Sequence, residues 1–232
     1  MFASLLRGFT GFGFALAAVP LASLVLPPRP VVTAALLMQT AIGLRDCIAE
    51  RHAADRGAVM WLTLGAVGGT PIGLWALTAL PMSAVRLALG TLVALAVAIT
   101  WRPRLRATRP LTRWTLLTGF ASGVCNGLAA MAGPPAIFFF LAFEPDRMVT
   151  RSSLMVLFPL VSLLAVIVAA AAGLIDRQAL LLAATGFPIM VVVGWIGTWM
   201  FRRSGHRSYR IAAALALLLT ALASIAKGLS EM

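Results

Sequence analysis

Gly119-Phe-Ala-Ser-Gly123-Val-Cys-Asn126-Gly127-Leu-Ala-Ala-Met-Ala-Gly133-Pro134-Pro135 lies inside an apolar segment, 113–143, that fits neither one membrane crossing nor two. As a continuous helix its 31 residues would run about 46 Å, whereas a hydrocarbon core is about 30 Å thick. Glycines at 119, 123, 127 and 133 and the Pro134-Pro135 pair interrupt it, so a broken or re-entrant pair of short helices is expected. Such a break at membrane depth is tolerated only where protein or a watery cavity surrounds it.

The rest of the chain has the composition such a segment requires. Of 232 residues 61% are hydrophobic and 11% charged, with a mean hydropathy of +0.97. Soluble domains carry about 25% charged residues, so this chain cannot cover a water-exposed surface. A cytosolic enzyme, a disordered chain and a nucleic-acid-binding domain are excluded. Apolar segments fall near 1–27, 31–50, 57–80, 83–101, 113–143, 148–173, 178–201 and 209–228. The predicted fold class is an all-α integral membrane protein of about eight transmembrane helices, since a span takes about 20 apolar residues. Arg7, Gly8, Gly11 and Gly13 break the first apolar run, which argues against a cleavable signal peptide. Cys47 and Cys125 are far apart and match no metal or redox spacing.

The net charge of +12 is distributed between the apolar segments, as the retention of Lys and Arg in cytoplasmic loops produces. If 113–143 crosses once, the basic residues divide 11 to 8 between the two sides. If segments 1 and 5 both enter and return, those at 45–56, 102–113, 147–151 and 202–210 share one face. The division is then 14 against the five of Arg7, Arg29, Arg86, Arg177 and Lys227. The second topology is therefore expected, with the Arg-rich loops 102–113 and 202–210 cytoplasmic and with Trp101 and Trp114 as interfacial anchors.

The halves resemble each other. Gly13-Phe-Ala-Leu-Ala-Ala-Val-Pro20 aligns with Gly127-Leu-Ala-Ala-Met-Ala-Gly-Pro134, Val32-Thr33 with Val149-Thr150, and Asp55-Arg56 with Asp176-Arg177. Gly65 aligns with Gly186, and Gly73-Leu-Trp75 lies opposite Gly194-Trp195. Residues 1–101 and 113–232 are read as two repeats joined by an Arg-rich linker, 102–112. With the charge-derived topology they point in opposite directions, an inverted repeat whose paired breaks in segments 1 and 5 mark the expected binding site.

At Gly11-Phe-Gly-Phe-Ala-Leu-Ala-Ala-Val-Pro20 and Gly123-Val-Cys-Asn-Gly-Leu-Ala-Ala-Met-Ala-Gly-Pro-Pro135 the chain resembles the sulfite exporter TauE/SafE family. The Thr33 and Thr150 segments and the Gly-rich spans 57–80 and 178–201 extend the likeness over essentially the whole length. The resemblance implies two related halves in the cell membrane that move small anions such as sulfite, thiosulfate and organosulfonates.

Half-helix ends suit an anion, because free N–H groups and the helix dipole both favour negative charge. The expected cradle is Gly11, Gly13, Gly127, Gly133, Pro134 and Pro135, with donors from Thr10, Gln39, Ser122, Asn126 and Ser152. Thr40 and Ser153 are further donors on spans 2 and 6. Each glycine taken alone serves close helix packing equally well, and Thr40 or Ser153 can bond its own helix. No catalytic residue, metal or cofactor is expected; the partners are the small anion and the bilayer, with no nucleic acid and a homo-oligomer left open. Rival readings are an anion channel, a membrane scaffold and an intramembrane serine protease built on Ser122.

Overall fold

The computed structural model describes residues 14–101, 112–144, 146–203 and 206–231, and every regular element among them is helical. In chain order these are α1 (Phe14–Ser23), α2 (Pro28–Glu50), α3 (Arg56–Ala79), α4 (Met82–Trp101), α5 (Thr112–Ala129), α6 (Gly133–Phe143), α7 (Arg147–Ala171), α8 (Arg177–Arg203) and α9 (His206–Ser230). Among the described residues, α3, most of α4 and nearly all of α7 are long and apolar enough to cross a membrane; α6, the first part of α8 and the last part of α9 are shorter apolar helices.

Local chemistry sets the boundaries. Pro27 is the N-cap of α2 and Pro28 and Pro30 fall in its first turn, where a missing N–H costs nothing. Asp55 and Asp176 open α3 and α8 in the same way: each carboxylate accepts the amide three residues on, from Ala58 at 3.2 Å and Ala179 at 2.6 Å. Asp146 caps α7 through the Met148 amide at 2.7 Å. Gly173, at φ +66°, ends α7 in the left-handed conformation, and Leu174 N–H donates to the Ala169 carbonyl at 2.9 Å.

The segment expected to be broken is two helices. The interruption falls at residues 130–132, directly before Gly133-Pro134-Pro135, and α5 runs without a break through Gly119, Gly123 and Gly127. Those three glycines face α3, whose Gly65, Gly69 and Gly73 face back. A Cβ at Gly123 would sit 2.6 Å from the Ala66 carbonyl oxygen, and one at Gly127 2.5 Å from that of Thr70. Leu62, Ala66 and Thr70 lie against residues 119, 123 and 127 respectively, so α3 and α5 run parallel, backbone on backbone. This is the most extensive helix pair among the described residues, and it follows the small-residue rule for association in lipid.

Both limbs of the α5–α6 hairpin meet one end of the bundle. Thr112 and Thr115 at the start of α5, Phe143 and Glu144 at the end of α6, and Asp55 and Gly57 at the start of α3 line a common pocket of about 220 Å³. The start of α7 joins them: Ser152 Oγ donates to Glu50 Oε2 at 2.6 Å, and Asp55 N–H donates to Ser153 Oγ at 2.8 Å. At the opposite end Arg86, near the start of α4, meets Ser23 at the end of α1 and Glu231 just beyond α9. Arg29 there donates to the Thr78 carbonyl. Among the described residues, Arg51, Arg56, Arg113 and Arg151 thus lie towards the Asp55 end, while Arg29, Arg86 and Lys227 fall at the other. Arg7 and residues 102–111 lie outside the described residues.

The other main contacts are α4 with α9, α2 with α7, α3 with α7, α2 with α8, α4 with α6 and α1 with α9. The first two are antiparallel: Gly90 abuts Ala221 while Gly228 abuts Ser83, and Gly43 abuts Pro159 while Glu50 meets Ser152. Leu36, Leu62, Leu89, Phe140 and Leu157 are fully buried. Outward-facing residues are equally apolar: Trp75 is 69% exposed, and Ile167 and Leu219 are also exposed. Only a lipid surround makes that surface favourable.

Candidate anion site at the helix break

The interruption between α5 and α6 leaves backbone polar groups inside the bundle, and side chains from α2 and α5 take them up. Ala130 has φ +55°, a left-handed conformation costing an L-residue about 1–2 kcal/mol. Its N–H donates to the Asn126 carbonyl at 2.7 Å, and that of Met131 to the Cys125 carbonyl at 3.4 Å. Gln39 Nε2, on α2, donates to the Ala130 carbonyl at 3.1 Å. Ser122 Oγ, on α5, donates to the Ala132 carbonyl. Asn126 Nδ2 reaches from α5 to the Val161 carbonyl on α7 at 3.1 Å. The break is tied directly to α2 and α5, and the end of α5 is tied in turn to α7 through Asn126; an unpaired buried carbonyl here would cost about 1–3 kcal/mol.

These groups surround a cavity of about 20 Å³ lined by Ala15 and Leu16 of α1, Gln39, Asn126, Ala130 to Gly133, Phe158 and Ser162. That is space for roughly one water molecule. The first turn of α6 opens on it, yet Pro134 and Pro135 carry no N–H, so Ala132 and Gly133 are the early amides left to donate. Neutral side-chain donors therefore carry more of any anion recognition than the helix end alone supplies.

Of the residues singled out in the sequence, Gln39, Asn126 and Gly133 come together at this cavity. Ser122 stands behind it, holding Ala132, and Pro134 and Pro135 lie in the first turn of α6. Gly127 packs in the α3 seam instead. Ser152 bonds Glu50 at the Asp55 end, and Ser153 is an acceptor for Asp55 N–H there. Thr40 bonds the Leu36 carbonyl of its own helix at 2.8 Å. Thr10, Gly11 and Gly13 lie outside the described residues. Pro20 stands in the interior of α1, whereas its aligned partner Pro134 opens α6. Sequence reading missed Ser162, buried on the cavity wall; a signal was there, because it is the only hydroxyl of α7 beyond Ser153.

No curated protein and no solved structure matches this chain. A family model does, that of the sulfite exporter TauE/SafE proteins, over residues 1–224 of 232. A lipid-facing helical bundle with an interrupted helix buried at its centre thus belongs to the TauE/SafE family of membrane sulfite exporters.

Proposed function

We propose that the protein is a secondary carrier, and not an enzyme, that exports small oxyanions such as sulfite, thiosulfate or organosulfonates by alternating access around the cavity at residues 130–133. The observation that carries this reading is the stapled break. Gln39 and Ser122 hold irregular backbone, and Asn126 ties α5 to α7, beside a small cavity with polar side chains on its wall inside an otherwise apolar bundle, an arrangement with no use in a passive scaffold. At about 20 Å³ the cavity is smaller than any sulfur oxyanion, so loading requires α6 and its neighbours to separate.

Inverted duplication supports the mechanism. Exchanging α1–α4 with α6–α9 turns the α3–α7 contact into α8–α2 and the α4–α6 contact into α9–α1. The same exchange returns α2–α7 and α4–α9 to themselves. Helix lengths of 10, 23, 24 and 20 residues match 11, 25, 27 and 25, and the paired caps Asp55 and Asp176 play one role. On this reading the repeats are 1–101 and 113–232, eight segments in all, with 1 and 5 re-entrant. The Asp55 end, with most of the arginines, faces the cytoplasm across the cell membrane.

An inside-negative potential of 100 mV favours expulsion of one negative charge by about 2.3 kcal/mol. Among the residues whose side chains are described no carboxylate is buried, which favours potential-driven export over proton-coupled uptake. The test is flux into proteoliposomes with sulfite, thiosulfate, sulfoacetate and non-sulfur carboxylates. Saturable movement of the sulfur oxyanions is expected; non-saturating flux would make the protein a channel, and no flux of any anion would overturn the reading.

A further inference from the structure

Far from the central cavity, the Arg86 end holds a second cluster. Arg86 is 6% exposed; its Nε donates to the Ser23 carbonyl at 2.9 Å and its Nη1 pairs with Glu231 Oε2. Lys227 Nζ donates to the neighbouring Leu24 carbonyl. Ser23 Oγ and Ser224 Oγ are each 1% exposed as residues and have no hydrogen-bond partner. Ser224 lies one turn before Lys227, hence on the same side of α9.

Two cations at the carbonyl end of a helix are ordinary capping. Capping does not require a buried guanidinium beside a half-buried carboxylate, nor two buried hydroxyls left unpaired. Guanidinium, ammonium and hydroxyl donors are the set that a small oxyanion takes, and a carboxylate is already there on Arg86.

We propose that Arg86, Lys227, Ser23 and Ser224 form a second oxyanion site, at the opposite end of the bundle from Asp55, where the Glu231 carboxylate stands in for the transported anion and is displaced by it. This rests on the carrier reading above and adds a specificity element to it: an anion leaving the centre exchanges with Glu231 on Arg86 before it reaches water. Arg86 then prefers oxyanions that present two oxygens to parallel N–H bonds over spherical halides.

The test uses the whole protein, with sulfite as the probe and chloride holding ionic strength constant. In proteoliposomes Glu231→Gln removes the competing carboxylate, so the KM for sulfite presented at the Arg86 face falls about tenfold, in keeping with the energy of hydrogen bonds to charged groups. The KM at the Asp55 face stays as in the parent. Arg86→Gln raises the KM at its own face, and Arg86→Lys restores part of the loss. Sulfite-dependent thermal stabilisation in detergent, measured in an Asn126→Leu background that disables the central cavity, supplies a readout independent of flux. Residual stabilisation there is expected to increase with Glu231→Gln and to vanish with Arg86→Gln. If Arg86→Gln does not fold, Glu231→Gln and Arg86→Lys suffice. A Glu231→Gln protein with lower stability but unchanged sulfite affinity in both measurements would show a mere structural latch and overturn the proposal. Sulfite binding at Arg86 without flux in the parent would instead count against the carrier reading alone.

Discussion

One helix, α5, presents two faces offset by a single residue. Gly119, Gly123 and Gly127 press backbone against α3, while Ser122 and Asn126 hold the break and α7. The first face works by removing side chains, so that carbonyls and Cα atoms of two helices touch; its stabilisation is dispersion, with weak Cα–H···O contacts added. The second works through two polar side chains, each spent on one backbone carbonyl. A rigid parallel pair, α3–α5, thus carries an irregular segment, 130–132, on its far side. The difference separates a seam made by removing side chains from one made by hydrogen bonds.

The largest expected effect breaks the first face. A Cβ at Gly69 overlaps the Phe120 carbonyl oxygen, which cannot yield as a flexible side chain would. Gly69→Ala should therefore cost about 2–3 kcal/mol or more, at the upper end of overpacking effects. Folded yield and melting temperature in detergent measure it, and a melting temperature equal to the parent's would show that the seam is looser than described. On the second face, Asn126→Leu leaves the Val161 carbonyl without its α7-to-α5 partner and takes a donor from the cavity wall. Saturable flux should fall about tenfold or more, at the energy of a buried hydrogen bond, with a smaller loss of stability than Gly69→Ala. The reverse order of stability losses would erase the distinction between the faces.

The helical class and several helix ends were legible in the sequence because apolar runs, charge and proline mark them. Asp55, Asp146 and Asp176 cap the helices that follow them, and 113–143 divides where Gly133-Pro134-Pro135 stands. The faces were not legible. Glycine signals both close packing and backbone exposure, and Gly127 and Gly133 read alike until the fold puts one against Thr70 and the other on the cavity. The same holds for hydroxyls on α7. Ser152 and Ser162 lie ten residues apart on one helix, and only the packing of α2 sends the first to Glu50 and the second to the centre.

Ala130 joins the two regions, following the end of the rigid helix and opening the break. Its φ of +55° is one that glycine adopts freely. Ala130→Gly is expected to raise the stability of the folded protein by about 1 kcal/mol, the released strain less the greater freedom of the unfolded chain. The Gln39 bond, made to the backbone carbonyl, is kept. A melting temperature below the parent's would mean that the alanine methyl packs usefully here, since the residue is 1% exposed, and that the left-handed turn is less strained than its dihedral indicates.

The smallest effect belongs to the seam. Thr70 is fully buried beside Gly123 and Gly127, and its Oγ1 has no hydrogen-bond partner. Thr70→Val keeps the shape and replaces an unsatisfied hydroxyl with a methyl, a change that is near neutral or favourable by about 1 kcal/mol where nothing is bonded. Were that hydroxyl part of the polar face, its loss would lower flux as Asn126→Leu does. Unchanged saturable flux with an equal or higher melting temperature is the outcome expected of a residue on the packing face, and a fall in flux at constant stability would move Thr70 to the other side of the comparison.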